Sequence, residues 1–409
     1  MIYYFISLMI IFINFLINKS ICKKTFYPPT LYSLIWFVMI FLHFIVASFD
    51  YLGVKYISVY SLIIFTIGPC IFTLGGIFIK LPQKKDDHNP EFFYINKKFL
   101  NVLMMLSTIL LPLYAYESYL IVMNNSITGN YMQDLRLNLN SGEFSRKYVY
   151  GIIFAFFYFF ICLYGVLIKH ESIGKKRLIY STVILVLYIV LSTGRTAFLQ
   201  FFILILGLIS SVKYLKVKYI IGSTVAFVLL FFIYGFIMEK GTDKNASFSD
   251  NLVTMNENMT TYLIGGISAF DHKMNNGFKN FNGERTFRLP IAILNKLGVI
   301  DSKPQELVED FVFVPFPTNV YTSYQVYIED FGVFYILIVL LSQSILHNFF
   351  FKNSLANNKY RFQNLYLYSL FLFPLIMSFF QDQFISLLPT WLYAFVLISI
   401  SKKFIYYKN

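Results

Sequence analysis

Arginine is the side chain whose placement says most in this sequence. Between two long apolar runs the chain turns through Ser192-Thr193-Gly194-Arg195-Thr196, where Arg195 carries the only strong charge. An arginine beside hydrocarbon is costly unless water, protein or an anionic ligand satisfies its guanidinium group, and a neighbouring glycine lets the backbone pass close to such a ligand. Arg285 and Arg288 flank Thr286-Phe287. Three residues apart, they would project from one side of a helical turn and could clamp one phosphate group. Asp271-His272 precedes them, and a run from Asn319 through Tyr324 to Asp330 follows. If 319–330 is helical, Asn319, Ser323 and Asp330 fall within about 40° of one another and form one polar stripe. His272 and Asp330 have the chemistry of a general base. Asp271, Asn319 and Tyr324 have the chemistry to hydrogen-bond sugars. Each also has a plainer reading: loop solvation for Arg285, Arg288 and the Asp-His pair, a helix cap for Asp330, and an interfacial aromatic belt for the tyrosines.

The elements that must position these residues are set by composition. Hydrophobic residues make up 57% of the chain and charged ones only 13%, in apolar blocks long enough to cross a bilayer. An all-α, polytopic transmembrane bundle is expected, since helices and closed barrels alone satisfy their backbone in lipid, and strand alternation is missing. Eleven spans are expected, near 2–17, 31–49, 57–79, 99–123, 148–168, 178–191, 196–212, 219–237, 331–350, 363–380 and 387–401. The organisation that follows is a bundle over 1–237 (eight spans), one large extramembrane loop over 238–330, and a second bundle over 331–409 (three spans). Alternate inter-span loops hold 21 of the 34 Lys and Arg residues. By the positive-inside tendency these loops are cytoplasmic, which places the N-terminus and the 238–330 loop outside and the C-terminus inside.

Several other classes are disfavoured. The net charge of +13 is spread over short loops and makes no clustered nucleic-acid face. The lysines at 19, 23 and 24 follow the first apolar run, so a retained helix is expected there and not a cleaved signal peptide. Cys22, Cys70 and Cys162 suggest neither a disulfide framework nor a metal site, and no Gly-rich phosphate loop is present. Within the 238–330 loop, residues 251–270 and 289–297 have amphipathic helical spacing. Gly265-Gly266 is expected to loosen the first of these segments.

Three stretches carry a family resemblance. Leu-Ser-Thr-Gly-Arg-Thr-Ala-Phe-Leu (191–199), Tyr-Leu-Ile-Gly-Gly-Ile-Ser-Ala-Phe (262–270), and Asn-Val-Tyr-Thr-Ser-Tyr (319–324) followed by Glu-Asp-Phe-Gly (329–332) resemble the signatures of bacterial oligosaccharide repeat-unit polymerases, the Wzy-type O-antigen and capsule polymerases. The resemblance covers the topology and the region 191–350. One departure is clear: an arginine followed after ten residues by glycine is missed by one at both Arg195–Gly207 and Arg288–Gly298, so no role is carried over from that pattern.

The resemblance implies a bundle similar to the metal-independent, lipid-using GT-C glycosyltransferases, in the bacterial cytoplasmic membrane, with no cofactor. Its substrates would be undecaprenyl-diphosphate-linked oligosaccharides, one glycan being joined to the terminal hydroxyl of a second lipid-linked unit. A flippase and a chain-length regulator of the same pathway are the implied protein partners. Arg195 would hold the donor diphosphate, with Arg285 or Arg288 closing over it. Two rivals remain open: an O-antigen ligase-like transferase, with similar topology, and a lipid-linked oligosaccharide flippase or other transporter, which should show repeated halves. A non-enzymatic membrane scaffold is a third.

Overall fold

The computed structural model describes residues 1–24, 26–79, 81, 93–140, 146–212, 217–237, 247–305, 309–356 and 358–408. The helices are α1 (Ile2–Ile21), α2 (Pro28–Ser48), α3 (Val59–Ile77), α4 (Lys97–Asn124), α5 (Tyr131–Asn140), α6 (Tyr150–Leu167), α7 (Lys175–Leu191), α8 (Arg195–Val212), α9 (Val217–Ile237), α10 (Phe248–Asn276), α11 (Arg288–Lys296), α12 (Tyr324–Phe331), α13 (Val333–Leu355), α14 (Arg361–Ile376) and α15 (Leu388–Ser401). Short 3-10 helices lie at Tyr51–Gly53, Lys147–Val149 and Met377–Phe379, and four strands of two or three residues complete the described elements: β1 (Phe93–Ile95), β2 (Val312–Phe313), β3 (Pro317–Thr318) and β4 (Ile405–Tyr407). Among the described residues seven helical stretches are long and apolar enough to cross a membrane, against the eleven expected. Two of the other expected spans are apolar but short: Thr196–Val212 in α8, and α15, whose 14 residues reach roughly 21 Å.

The chain forms two compact units, each assembled from separate stretches. One comprises Met1–Leu81, Asn256–Lys352 and Phe371–Trp391; the other comprises Pro82–Met255, Asn353–Leu370 and Leu392–Asn409.

In the first unit α1, α2 and α3 pack together with their polarity reversed relative to a soluble helix. The buried face of α1 carries Ser7, Asn14 and Asn18 among Tyr4, Leu8 and Ile11, while Phe5, Met9, Phe12, Ile13 and Leu16 are exposed. An apolar exterior over a polar seam suits hydrocarbon as solvent, where inter-helical hydrogen bonds hold helices together. Asn14 Nδ2 donates to Ser33 Oγ (2.9 Å) and Thr73 Oγ1 (3.0 Å), and Asn18 Nδ2 donates to Thr73 Oγ1 (2.7 Å). Pro28 and Pro29 open α2, where missing amide donors cost nothing. Ser58 caps α3 by accepting from Ser61 N.

α12 is docked on this trio through one aromatic stack. Trp36 stacks on Phe65 and on Tyr324, with centroids at 5.0 and 4.9 Å, those two rings lie 5.9 Å from each other, and the Tyr32 and Tyr324 hydroxyls meet at 2.9 Å. Gly68 admits the Tyr324 ring, which a Cβ there would strike. Gly265-Gly266, expected to loosen the chain, does the reverse: α10 continues through both. A Cβ on Gly266 would lie 3.0 Å from Phe379 O and 3.3 Å from Phe380 O, so the missing side chains let α10 press directly on that backbone.

In the second unit α4, α6 and α7 pack against one another, and α8 packs against α6 and α9. Asn96 caps α4 by accepting from Lys98 N and Phe99 N. β1 and β4 pair antiparallel, with Tyr94 opposite Tyr406, which ties the end of the chain to the start of α4.

Candidate functional site

The site is built in the first unit, from α12 outward. α12 has two differently loaded faces. Tyr324 and Tyr327 turn into the core, while Gln325 and Glu329, four residues apart, lie one above the other, Gln325 Nε2 donating to Glu329 Oε2 at 2.8 Å. Gly332, at φ +80, ends the helix; its amide donates to Ile328 O.

The turn 281–287 folds over this face and is held by backbone chemistry. Phe281 N donates to Glu329 O (2.8 Å), while Arg285 N (3.2 Å) and Thr286 N (2.6 Å) both donate to the buried Asp330 carboxylate. Gly283, at φ +89, makes the tight part of the turn and sits against the ring of Phe331. Asp330 therefore fixes the segment that carries the arginines; it does not cap α13.

Four charges meet beneath the turn. Lys273 from α10 reaches Glu329 (3.0 Å) and Glu309 (3.6 Å), and Arg285 reaches Glu329 (3.2 Å) and forks onto both oxygens of Glu309. Rings cover the cations: Lys273 Nζ lies 4.1 Å from the centroid of Tyr321, and the Arg285 guanidinium 4.2 Å from that of Phe281. The Glu329 side chain is fully buried. Burial raises its carboxyl, and Arg285 and Lys273 only partly offset this. Glu309 differs: burial pushes its carboxyl up, but the hydrogen bond and charge of Arg285, with the charge of Lys273, outweigh burial and leave it below its ordinary value.

Above these charges lies a cleft of about 30 Å³, room for water but not yet for a sugar. Arg285, Arg288, Gln305 and Glu309 form one wall; Tyr321, Thr322, Gln325 and Val326 form a second; Gln381, Asp382, Ile385 and Ser386 form the third. The Asp382 carboxylate accepts from Tyr327 Oη (2.8 Å) and from the amides of Ile385 (3.0 Å) and Ser386 (2.8 Å), which sets the third wall. Burial raises the Asp382 carboxyl, against those hydrogen bonds. Arg288 Nε donates to Gln305 O at 2.6 Å, and among the described residues no carboxylate lies within ion-pair distance of its guanidinium. Burial alone acts on that group, lowering its affinity for a proton. Thr322 Oγ1 and Arg285 Nε are buried beside the cleft without a hydrogen-bond partner.

The residues singled out from sequence thus divide. Arg285 and Arg288 line one cleft, but not as a matched clamp, because Arg285 is committed to Glu309 and Glu329. The stripe of Asn319, Ser323 and Asp330 does not form, since the helix begins only at Tyr324, after the β2–β3 hairpin. Asn319 lies half-buried on the loop beyond β3, and the Tyr324 hydroxyl bonds to Tyr32 in the core. Asp271 Oδ1 accepts from Ser58 N (2.8 Å), Ser58 Oγ (2.5 Å) and Ser61 Oγ (2.7 Å), binding α10 to the start of α3. His272 is exposed, and its neighbour Lys273 turns inward. Arg195 opens α8 after Thr193 at φ +57, in the second unit, and its side chain lies outside the described residues. Lys273, Glu309, Gln325 and Glu329 were not singled out. The four-residue spacing of Gln325 and Glu329 was the visible signal; the Lys273 and Glu309 pairing is tertiary and leaves no local trace.

Fold and site define a helical protein with, among the described residues, seven helical stretches suited to a bilayer and a cleft combining cationic, carboxylate, hydroxyl and carboxamide groups. Among the described residues no group of three or more His, Cys, Asp or Glu side chains could hold a metal ion. No protein-family model, curated protein or solved structure matches the chain.

Proposed function

We propose that the protein is a membrane glycosyltransferase that joins undecaprenyl-diphosphate-linked oligosaccharide repeat units into a longer glycan at the outer face of the bacterial cytoplasmic membrane, within an eleven-span bundle of GT-C-like type. The observation that carries this reading is Arg288. Its guanidinium is partly withdrawn from water, lacks a carboxylate partner among the described residues, and borders a cleft whose other walls offer Tyr, Thr, Gln and Ser side chains, with the Asp382 carboxylate held by Tyr327 and two amides. Such a lining suits an anion joined to a polyhydroxylated group.

In the reaction, the bond between the donor's anomeric carbon and the diphosphate oxygen breaks as the acceptor hydroxyl oxygen attacks, and undecaprenyl diphosphate departs with the bonding electrons. Negative charge grows on the leaving group, where a preorganised guanidinium stabilises the transition state more than the ground state. The departing diphosphate can itself take the hydroxyl proton. His272 faces outward and Asp330 is occupied by two amides, so neither is assigned that task. Arg195 keeps its candidacy as a second diphosphate contact on its sequence setting alone.

The test is the polysaccharide ladder made by cells carrying Arg288→Ala or Arg288→Lys at matched protein levels, with Arg195→Ala and Arg195→Lys alongside. Loss of polymer with accumulation of single-repeat products is expected for both Arg288 variants, since lysine lacks the planar fork. Wild-type ladders from Arg288→Ala would sink the reading. Loss of all surface glycan with polymer still on the carrier would point to a ligase.

A further inference from the structure

The charges at the cleft are paired unevenly. Asp382 on the third wall is held by Tyr327 and the amides of Ile385 and Ser386, and no described carboxylate lies within ion-pair distance of Arg288, whereas Lys273 and Arg285 are tied to two carboxylates, Glu309 and Glu329. The two carboxylates are not equivalent. Glu329 lies on α12, is fully buried, receives Gln325 as well, and does not line the cleft. Glu309 lines the cleft, keeps about a tenth of its side chain exposed, and takes the two-pronged grip of Arg285 that a phosphate would otherwise take. Beside it, Arg285 Nε and Thr322 Oγ1 are buried without an acceptor, and the terminal nitrogens of Arg288 face no carboxylate among the described residues.

We propose that Lys273, Arg285 and Arg288 form a diphosphate site that Glu309 occupies as an internal competitor, so that ligand binding requires the Glu309 side chain to leave. With Glu309 withdrawn, both terminal nitrogens of Arg285 are freed to grip a phosphate beside Arg288. Withdrawal also enlarges a cleft that otherwise has room only for water. The diphosphate as ligand rests on the reading proposed above, but the competition itself does not require polymerase activity.

The experiment measures binding of inorganic diphosphate, and separately of a short isoprenyl diphosphate, to the purified full-length protein in nanodiscs. Glu309→Gln keeps the size and removes the competing charge; it should tighten diphosphate binding roughly tenfold, or ~1.4 kcal/mol. Glu329→Gln should tighten it less than Glu309→Gln does, because Glu329 does not line the cleft and does not hold both terminal nitrogens of Arg285. Glu309→Gln exposes Arg285 to loss of its partner, so thermal unfolding is read with and without inorganic diphosphate, which should stabilise this variant more than wild type. Equal or weaker binding by Glu309→Gln, or a variant that diphosphate fails to stabilise, overturns the proposal. Tighter binding of inorganic diphosphate with no polymer ladder in cells keeps the competing site and removes the polymerase reading.

Discussion

Arg285 is where the account is most exposed to measurement. Replacing it with methionine keeps much of its volume but leaves Glu309 and Glu329 facing Lys273 alone, two negative charges against one positive. Arg285 contacts Glu329 at 3.2 Å and grips Glu309 with both terminal nitrogens, and the four side chains are between fully buried and 15% exposed, so solvent screening is slight. At an effective dielectric near 20, a contact of that length carries ~5 kcal/mol of attraction before desolvation is subtracted. Breaking such a pair from one side typically costs about 3–5 kcal/mol, because the remaining charge stays buried. Arg285→Met is therefore expected to lose that much. Adding Glu309→Gln removes the excess charge and leaves Lys273 paired with Glu329 at 3.0 Å, so the double variant should return to within about 2 kcal/mol of wild type. A double-mutant cycle by denaturant unfolding in detergent micelles reads this directly. A double variant no more stable than Arg285→Met would refute the charge network as described.

Further outcomes follow from the same geometry. Glu309 has its carboxyl lowered in the folded state, so its contribution is present above its ordinary value of 4.5 and is lost as pH falls through the lower folded value; Glu329, raised by burial, instead weakens the fold as pH climbs through its raised value. Stability against pH should accordingly fall on the acid side below about 4.5 in wild type, and that acid limb should flatten in Glu309→Gln, as thermal scans across pH 3–6 would show. Asp271→Ala removes the acceptor for three hydrogen bonds from Ser58 and Ser61 and should cost about 1–3 kcal/mol, whereas Asp271→Asn, which keeps the Oδ1 acceptor, should cost less; equal losses would contradict its part in joining α10 to the start of α3. Gly266→Ala would drive a methyl group against two backbone carbonyls and should destabilise by about 1–3 kcal/mol, whereas the same change at Gly222, where a Cβ meets nothing, should not; equal thermal stability of the two variants would refute the close packing.

The helices were legible because hydrocarbon imposes its own pattern: apolar length marks α1 to α4 and α13 directly, and the polar positions of α1 repeat on one face. The docking of α12 was not, because it depends on the Trp36–Tyr324 stack, which joins residues far apart in the chain. Tyr324 looked like a sugar ligand for that reason, since an aromatic hydroxyl near a polar run has the same sequence signature whether it faces a cleft or a core. Asp330 and Asp271 misled similarly: each carboxylate is spent on backbone amides or hydroxyls of another segment. The arginine spacing at 285 and 288 did place both on one cleft, but which of them is free depended on Glu309, whose approach to Arg285 no local pattern records.

Polymerase activity is read by supplying the purified protein, in nanodiscs, with undecaprenyl-diphosphate-linked oligosaccharides extracted from cells that lack it. A ladder of products at repeat-unit intervals is expected, with one undecaprenyl diphosphate released per linkage and both losses in Arg288→Ala. Unchanged lipid-linked oligosaccharide after incubation with folded wild-type protein would contradict it.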